Sequence, residues 1–501
     1  MVRKLIFALF VGWLPVACGG DDAPGGTGPN GGNATVTGTV VDQRGLPVEG
    51  VVVSDGLLTT LTDESGYYAL ESDLSKRRFV QVTIPAAYEI PVKNGIPQFW
   101  RRIPEGATEF EADFTLQARR KAASRYTVLM TADPQIRSRS ARYDNFAFHS
   151  IDMYEDMCRD LRETAASITD RPVYGISLGD LVWDNMPFHE VYKQRIRKIG
   201  VPVFQVIGNH DHNKAITVDA DADASFEAAF GPTYYSYNIG DCHFIVLDDV
   251  LYTGSSSYTA DITDEQMAWL EQDLKYVPKD KLIIIGLHIA TSRRNRPTSH
   301  VADYKELYAL LDGYNVRILS GHSHNNYTTT ISETIEENTL GAVMGAYWNG
   351  EELCNDGSPR GYAVYEIEGN RIRNWYYKGT AFPREYQMYL YGPGEAVSEK
   401  YRDGLILNIF NWHTTWTVEV QEDNAGWVTL PSDSNLRYEM DRRAYDFMFG
   451  DTKPEHRPTA EPESNNDHMF YYKPASESWG TVTVRASDPY GNVYTESIRN
   501  E

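Results

Sequence analysis

Five short polar motifs follow five apolar runs in residues 126–382, and they hold the side chains of this chain best suited to chemistry. The motifs are, in order, Asp133-Pro134-Gln135, Gly179-Asp180, Gly208-Asn209-His210-Asp211, His288 and Gly321-His322-Ser323-His324. The preceding runs TVLMTA, VYGISL, VPVFQVI, KLIIIGL and VRILS are typical of buried β-strands. Loops at the carboxyl ends of such strands carry the active sites of open α/β sheets. Carboxylate, amide and imidazole groups in these loops predict a centre that binds two divalent metal ions.

Two metal ions roughly 3.5–4 Å apart need a shared carboxylate ligand and open positions for water and substrate. We expect Asp180 to be the shared ligand. The predicted ligands of the first site are Asp133, Gln135 and His324, and those of the second site are Asn209, His288 and His322. A centre of this composition favours the hydrolysis of a phosphate mono- or diester.

The histidine of the third motif has no place in either ligand set. We therefore expect His210 to contact a phosphoryl oxygen or to protonate the leaving group. Its neighbour Asp211 is predicted to orient the imidazole of His210 as a supporting carboxylate. These two residues are the predicted catalytic residues outside the metal ligands.

Other interpretations of the same residues exist. A single Asp or Asn after a strand is typical of a turn or a helix cap, whereas the shared order and strand context of all five motifs favour a metal centre. The run Gly175-Ile176-Ser177-Leu178-Gly179 matches the GxSxG pattern of serine hydrolases, but Ser177 lies inside the apolar run rather than at a sharp turn. The alternative function is that of a surface binding protein with a degenerate catalytic domain.

The motifs from Asp133 to His324 resemble those of the calcineurin-like metallophosphoesterase superfamily, and the resemblance covers residues 126–382. It implies a four-layer α/β/β/α sandwich and two divalent ions, Mn, Fe or Zn, whose bridging hydroxide attacks phosphorus in line with the leaving oxygen. One position departs from the family, which usually has histidine where this chain has Gln135. Because a glutamine oxygen is a poorer ligand for Zn²⁺ or Fe than imidazole, the first site is predicted to be weaker or to prefer a harder ion such as Mn²⁺.

Two further β-rich segments flank this region, so the predicted fold class is multidomain α/β plus all-β. Residues 34–117 alternate apolar and polar positions between turn signals, and residues 383–501 contain many short strand-like runs; each segment predicts a small β-sandwich. The pattern from Gly38 to Tyr67 resembles a carboxypeptidase-regulatory, transthyretin-like domain. The three-part order resembles bacterial calcineurin-like phosphoesterases that have their own N- and C-terminal modules.

The N-terminus has the pattern of an export signal. Basic residues precede the apolar run LIFALFVGWL, and small residues precede Cys18, so residues 1–18 resemble a bacterial lipoprotein signal peptide with Cys18 as the lipidated residue. Residues 19–33 are a Gly-rich tether. We expect an exported lipoprotein of the cell envelope, held only by its lipid at the periplasmic face or the cell surface of the outer membrane. Ordinary signal cleavage with a soluble product is the alternative.

The composition and the loop residues indicate which kind of molecule the protein binds. The chain of 501 residues has 47 Lys and Arg against 70 Asp and Glu, a net charge of −23 that disfavours nucleic acid as a partner. The expected substrate is a phosphorylated small molecule, a glycan or a lipid headgroup. Arg293 and Arg294 are predicted to hold a second anionic group and Trp348 to stack on the substrate, with solvated loop charge and core packing as the alternatives. Buried free thiols are expected at Cys158, Cys242 and Cys354.

Overall fold

A computed structural model of the chain describes residues 33–138, 150–254, 257–293, 300–346, 353–432, 436, 439–450, 462–464 and 466–500. Cys18, Arg294 and Trp348 lie outside the described residues, so their roles stay predictions. No helix within the described ranges is long and apolar enough to cross a membrane.

The N-terminal unit has ten short strands in two main sheets. They are β1 Val36–Asp42, β2 Val52–Ser54, β3 Thr59–Leu61, β4 Tyr67–Leu70, β5 Phe79–Val82, β6 Val92–Lys93, β7 Ile96–Pro97, β8 Trp100–Arg102, β9 Phe110–Glu111 and β10 Phe114–Leu116. One sheet has the order β10-β1-β4, with β9 also paired to β1, and the other has the order β3-β2-β5-β8. Residues of β1 alternate between buried and half-buried positions, as a strand with one face on a core requires.

The central unit alternates strands and helices from β11 to β23. Its strands are β11 Arg125–Thr131, β12 Val173–Leu178, β13 Val203–Val206, β14 Tyr235–Ile239, β15 Cys242–Val246, β16 Val250–Gly254, β17 Ser257–Ala260, β18 Leu282–Gly286, β19 Asn315–Ser320, β20 Tyr327–Thr330, β21 Ile335–Thr339, β22 Gly361–Glu368 and β23 Arg371–Gly379. Its helices are α1 Ser150–Ser167, α2 Phe188–Ile196, α3 Asp219–Ala222, α4 Ala224–Phe230, α5 Asp264–Leu274 and α6 Tyr304–Leu310.

Two sheets form the middle of this unit, with the orders β13-β12-β11-β22-β23 and β14-β15-β18-β19-β21-β20. Successive side chains along a strand point to opposite faces, and this alternation decides which of them face the partner sheet. Ile284 of β18 packs in the core between the sheets, whereas its neighbours Ile283 and Ile285 pack against Trp269 of α5. Helices α1 and α2 cover the outer face of the first sheet. The predicted four-layer α/β/β/α sandwich is confirmed.

The C-terminal unit is a second β-rich module with one helix in its described part. Its elements are β24 Met388–Tyr391, β25 Leu405–Ile409, β26 Thr417–Glu422, β27 Val428–Leu430, α7 Arg442–Phe449, β28 Met469–Tyr472, β29 Thr481–Ser487 and β30 Val493–Arg499. Sheets β24-β25-β28 and β27-β26-β29-β30 share one apolar core that includes Trp412, Trp479 and Val484. Cys158, Cys242 and Cys354 are buried and free, as expected.

Candidate metal centre

Four of the five motifs place a polar residue two positions after the end of a parallel strand. Asp133 follows β11, Asp180 follows β12, His288 follows β18 and His322 follows β19. The remaining ligand-bearing loop, after β13, is a single 3₁₀ turn that begins at Asn209. Because parallel strands end at the same edge of their sheet, these loops meet in one place.

The backbone at these positions is strained. Asp133, Asp180, His322 and His324 have φ values of 53°, 52°, 64° and 57°. Non-glycine residues in this left-handed region cost free energy and cluster at functional sites, where the surrounding structure enforces them. Here the left-handed backbone after β11, β12 and β19 turns these side chains toward the neighbouring loops.

The second predicted site is assembled around His288. Its Nε2 lies 3.2 Å from Asn209 Oδ1, 3.2 Å from His322 Nδ1 and 3.3 Å from Asp180 Oδ1. Its Nδ1 lies 2.8 Å from the carbonyl oxygen of Leu178, which only accepts, so Nδ1 carries a proton and fixes the ring. Ligand atoms of Asp180, His288 and His322 lie within 4.8 Å of one another.

Several atoms that accept hydrogen bonds thus surround Nε2 of His288, and its single N–H group cannot donate to all of them. Burial lowers the pKa of His288, but Asp180 outweighs that effect and raises the pKa to about 10. Burial and the neighbouring His288 lower the pKa of His322 to about 3. The site therefore holds one positive charge between buried acceptors, and a divalent cation that displaces this proton fits the donor set.

The first predicted site lies on the other side of Asp180. Asp133 Oδ1 is buried, accepts no well-aligned hydrogen bond and lies 3.3 Å from His324 Nε2. Asp133 Oδ2 accepts a 2.9 Å hydrogen bond from the backbone N–H of His322, which ties the two sites together. Gln135 Nε2 donates to Asp180 Oδ2 at 2.8 Å and lies 3.3 Å from His324 Nε2. In this orientation the amide nitrogen of Gln135 faces the site, and only a rotated amide would offer its oxygen to an ion.

The carboxylate of Asp180 faces both ligand groups. Its Oδ1 points to His288 and also accepts a 2.8 Å hydrogen bond from the backbone N–H of His210, while its Oδ2 points to Gln135. Burial raises the pKa of Asp180, but the histidines around it, His288 first, lower it well below the ordinary value. A carboxylate that stays ionised between two ligand sets has the geometry of a shared ligand.

His210 lies beside this centre and is held from two sides. Its Nδ1 lies 2.7 Å from Asp184 Oδ1, and its ring stacks on Trp183 with centroids 4.6 Å apart. Lys214 binds the second oxygen of Asp184. Burial lowers the pKa of His210, but the Asp180 and Asp184 carboxylates outweigh it and raise the pKa. A protonated imidazole beside the centre is suited to donate a proton.

The role predicted for Asp211 is wrong, since its carboxylate is turned away from the imidazole of His210. It accepts backbone hydrogen bonds from Leu181, Val182 and Gly208 at 3.0 to 3.1 Å and faces His189 Nε2 at 3.2 Å. Asp211 is fully buried and holds the loops after β12 and β13 together. Asp184 is the carboxylate that orients His210.

Two further buried acids support the ligand loops and were missed in the sequence. Asp249 accepts hydrogen bonds from the backbone N–H groups of His288 and Ile289 at 3.0 and 2.7 Å. Glu337 accepts hydrogen bonds from the loop after β18 and from Ser320 at the end of β19. Asp249 could have been found because it follows a buried strand as the ligands do; Glu337 lies inside β21 and has no such signal.

Of the predicted substrate residues, Arg293 is described. It lies in the loop after β18. Its guanidinium lies over the ring of Tyr327 and 3.6 Å from the carboxylate of Glu463. Ser177, the alternative nucleophile, is fully buried inside β12.

Comparisons with known proteins identify the family of this chain. Three family models match the chain: the N terminal of calcineurin-like phosphoesterase over residues 34–119, calcineurin-like phosphoesterase over residues 126–326, and the C terminal of calcineurin-like phosphoesterase over residues 337–494. A comparison with curated proteins found no match.

Several solved structures are similar to this chain. A dimetal phosphatase from Danio rerio is 15% identical with a TM-score of 0.34, over 48% of this chain and 93% of that chain. A purple acid phosphatase from yellow lupin seeds is 14% identical with a TM-score of 0.35, over 65% and 69%. A 5'-nucleotidase from Candida albicans is 13% identical with a TM-score of 0.32, over 51% and 52%. On the three family models, which follow one another along the chain, this protein belongs to the calcineurin-like phosphoesterases, metal-dependent hydrolases of phosphoric esters.

Proposed function

We propose that this protein hydrolyses a phosphate mono- or diester with water activated by two divalent metal ions, Mn, Fe or Zn. The observation that carries the proposal is the placement of Asp180, whose Oδ1 lies beside His288 of one predicted ligand group and whose Oδ2 lies beside Gln135 of the other. When bound, the ions supply Lewis acidity at the phosphoryl oxygens and lower the pKa of water. Asn209, His288 and His322 would hold one ion, and Asp133 and His324 the other, with Asp180 common to both.

The residues around the metal ligands have their own tasks. His210 gives a proton to the leaving oxygen, because its Nδ1 is bound by Asp184 and its Nε2 remains the nitrogen available for transfer. Trp183 keeps the ring in this orientation by stacking on it. Asp249 and Glu337 hold the two loops that carry His288 and His322, so the ligands do not need to reorganise when substrate binds.

Gln135 is expected to make the first ion the more weakly held one. Its nitrogen donates to Asp180 in the described orientation, and its oxygen is a poorer ligand for Zn²⁺ or Fe than the imidazole usual in the family. We propose that the first site favours a harder ion such as Mn²⁺.

The experiment is hydrolysis of one phosphomonoester and one phosphodiester by metal-stripped protein reconstituted with Mn²⁺, Fe²⁺ or Zn²⁺. Turnover that depends on the added metal and disappears in Asp180→Ala would support the proposal and identify the ester class. Bound metal without turnover of either ester under any metal would favour the alternative, a surface binding protein.

We propose a phosphorylated small molecule, glycan or lipid headgroup as the substrate. We also propose that the protein acts in the cell envelope, anchored through a lipid on Cys18 at either face of the outer membrane. The N-terminal apolar run and the Gly-rich tether support this location. Incorporation of labelled palmitate into the wild-type chain and its loss in Cys18→Ala would test it.

A further inference from the structure

A cavity of about 280 Å³ opens beside the metal centre. Its lining includes Tyr258, Arg293, His300, His322, Ser323 and Tyr327. His322 belongs to both the cavity and the second metal site, and the Tyr258 hydroxyl lies 3.4 Å from His322 Nε2. A phosphoryl group held at the metal centre therefore has its ester substituent within reach of this cavity.

Among the described residues of the cavity wall, Arg293 is the one arginine or lysine, and its charge is paired with a carboxylate. Its guanidinium lies over the ring of Tyr327, with Cζ 5.1 Å from the ring centroid, and Nη2 lies 3.6 Å from Glu463 Oε2. The side chains of Arg293 and Glu463 are only 15% and 7% exposed, so solvent screens this pair weakly.

Glu463 comes from the C-terminal module and is fixed in place. Its backbone N–H donates to the carbonyl of Asn355 at 2.9 Å, and its Oε2 accepts a 2.8 Å hydrogen bond from Asn325 Nδ2. Asn325 is buried and directly follows the ligand His324. The carboxylate therefore cannot swing away from Arg293 without breaking contacts next to the metal centre.

We propose that Glu463 determines substrate specificity: by neutralising Arg293, it adapts the cavity to an uncharged leaving group, such as a phenol or a polyol, and selects against a second anionic group. This inference rests on the proposed phosphoesterase function. It gives Arg293 a different role from the anion contact predicted from the sequence, because a guanidinium paired with a fixed carboxylate has little net attraction for an anion and the carboxylate itself repels one. The rings of Tyr258 and Tyr327 suit an uncharged ring or polyol.

The test compares phenyl phosphate with 4-carboxyphenyl phosphate in the full metal-reconstituted chain. Glu463→Gln keeps an oxygen that can accept from Asn325 Nδ2 but removes the negative charge that neutralises Arg293. We expect KM for 4-carboxyphenyl phosphate to fall about tenfold in this variant, with kcat and the KM for phenyl phosphate within about twofold of wild type. Adding Arg293→Gln to the same chain should abolish the gain.

A matched control is Glu419→Gln, which breaks the ion pair with Arg485 elsewhere in the C-terminal module. It should leave the selectivity for the two esters unchanged. An unchanged KM ratio in Glu463→Gln, or an equal change for both esters, would overturn the inference.

Calorimetric binding of phenylphosphonate and 4-carboxyphenylphosphonate separates this inference from the proposed function, because it requires no turnover. If wild-type protein hydrolyses neither ester but Glu463→Gln selectively gains affinity for the carboxylated phosphonate, the hydrolytic proposal fails and the specificity assignment stands. If neither phosphonate binds to either protein, the cavity is not a leaving-group site and the inference is overturned.

Discussion

Replacement of Asp184 by asparagine tests the catalytic role of His210 without touching a metal ligand. Asp184 Oδ1 lies 2.7 Å from His210 Nδ1, and the substitution keeps the size of the side chain while it removes the charge. A neutral amide stabilises the protonated imidazole less than a carboxylate does. The variant should therefore lose proton donation to the leaving group and keep its metal ions.

The size of the loss follows from the environment of the pair. Hydrogen bonds to charged groups contribute about 1.5–3 kcal/mol, and the side chains of His210 and Asp184 are 19% and 22% exposed, which favours the lower half of that range. A loss of about 1.5–2 kcal/mol of transition-state stabilisation lowers kcat about 10- to 30-fold. The loss should be near this value for phenyl phosphate, whose leaving group needs a proton, and much smaller for 4-nitrophenyl phosphate, whose leaving group does not.

The assay is kcat for both esters together with metal content by mass spectrometry. Asp211→Asn is the informative comparison, since its carboxylate binds backbone N–H groups of two loops. We expect that variant to unfold at a lower urea concentration. Full activity of Asp184→Asn toward phenyl phosphate, or an equal loss toward both esters, would refute the role assigned to His210.

Two further predictions concern residues that support the ligand loops. Gly208→Ala would place a Cβ 2.2 Å from the backbone nitrogen of Asp180 and 2.4 Å from its Oδ1. We therefore expect this variant to bind less metal, as measured by mass spectrometry. The control is Gly426→Ala, which has no atom within 4 Å of the new Cβ and should bind as much metal as wild type. Burial raises the pKa of Glu337 from 4.5 to about 7, so the folded chain binds the extra proton and stability must fall as pH rises from about 5 through 7. At 1.36 kcal/mol for each unit of pKa, this contribution to the free energy of unfolding is about 3 kcal/mol. Urea unfolding at pH 5 to 8 should show this contribution in wild type but not in Glu337→Gln. If the free energy of unfolding changed with pH identically in the two proteins, the prediction would be contradicted.

The grouping of the candidate ligands was predictable because its signal is local. Each of Asp133, Asp180, His288 and His322 lies two residues beyond a strand that the apolar pattern already indicates. The strands are parallel, so local positions at their ends become neighbours in space. The four-layer fold was implied by the resemblance of these motifs to the calcineurin-like family.

The supporting contacts were not predictable because they join distant parts of the chain. Asp211 is next to His210 in sequence, yet its carboxylate is committed to three backbone N–H groups, and the partner of His210 lies 26 residues earlier at Asp184. Glu463 reaches Asn325 across 138 residues, from a different structural unit. No periodicity encodes such pairs, which depend on how loops and modules pack.

The most direct test of the shared-ligand geometry is the number of metal ions bound to the wild-type chain and to Asp180→Ala, measured by native mass spectrometry after reconstitution with Mn²⁺. Asp403→Ala serves as the control, since this exposed carboxylate pairs with Lys473 and Tyr471 of the C-terminal module, far from the centre in sequence and fold. We predict two ions in wild type and in the control, and fewer than one in Asp180→Ala, because its carboxylate serves both ligand groups. Two ions retained by Asp180→Ala would contradict the account.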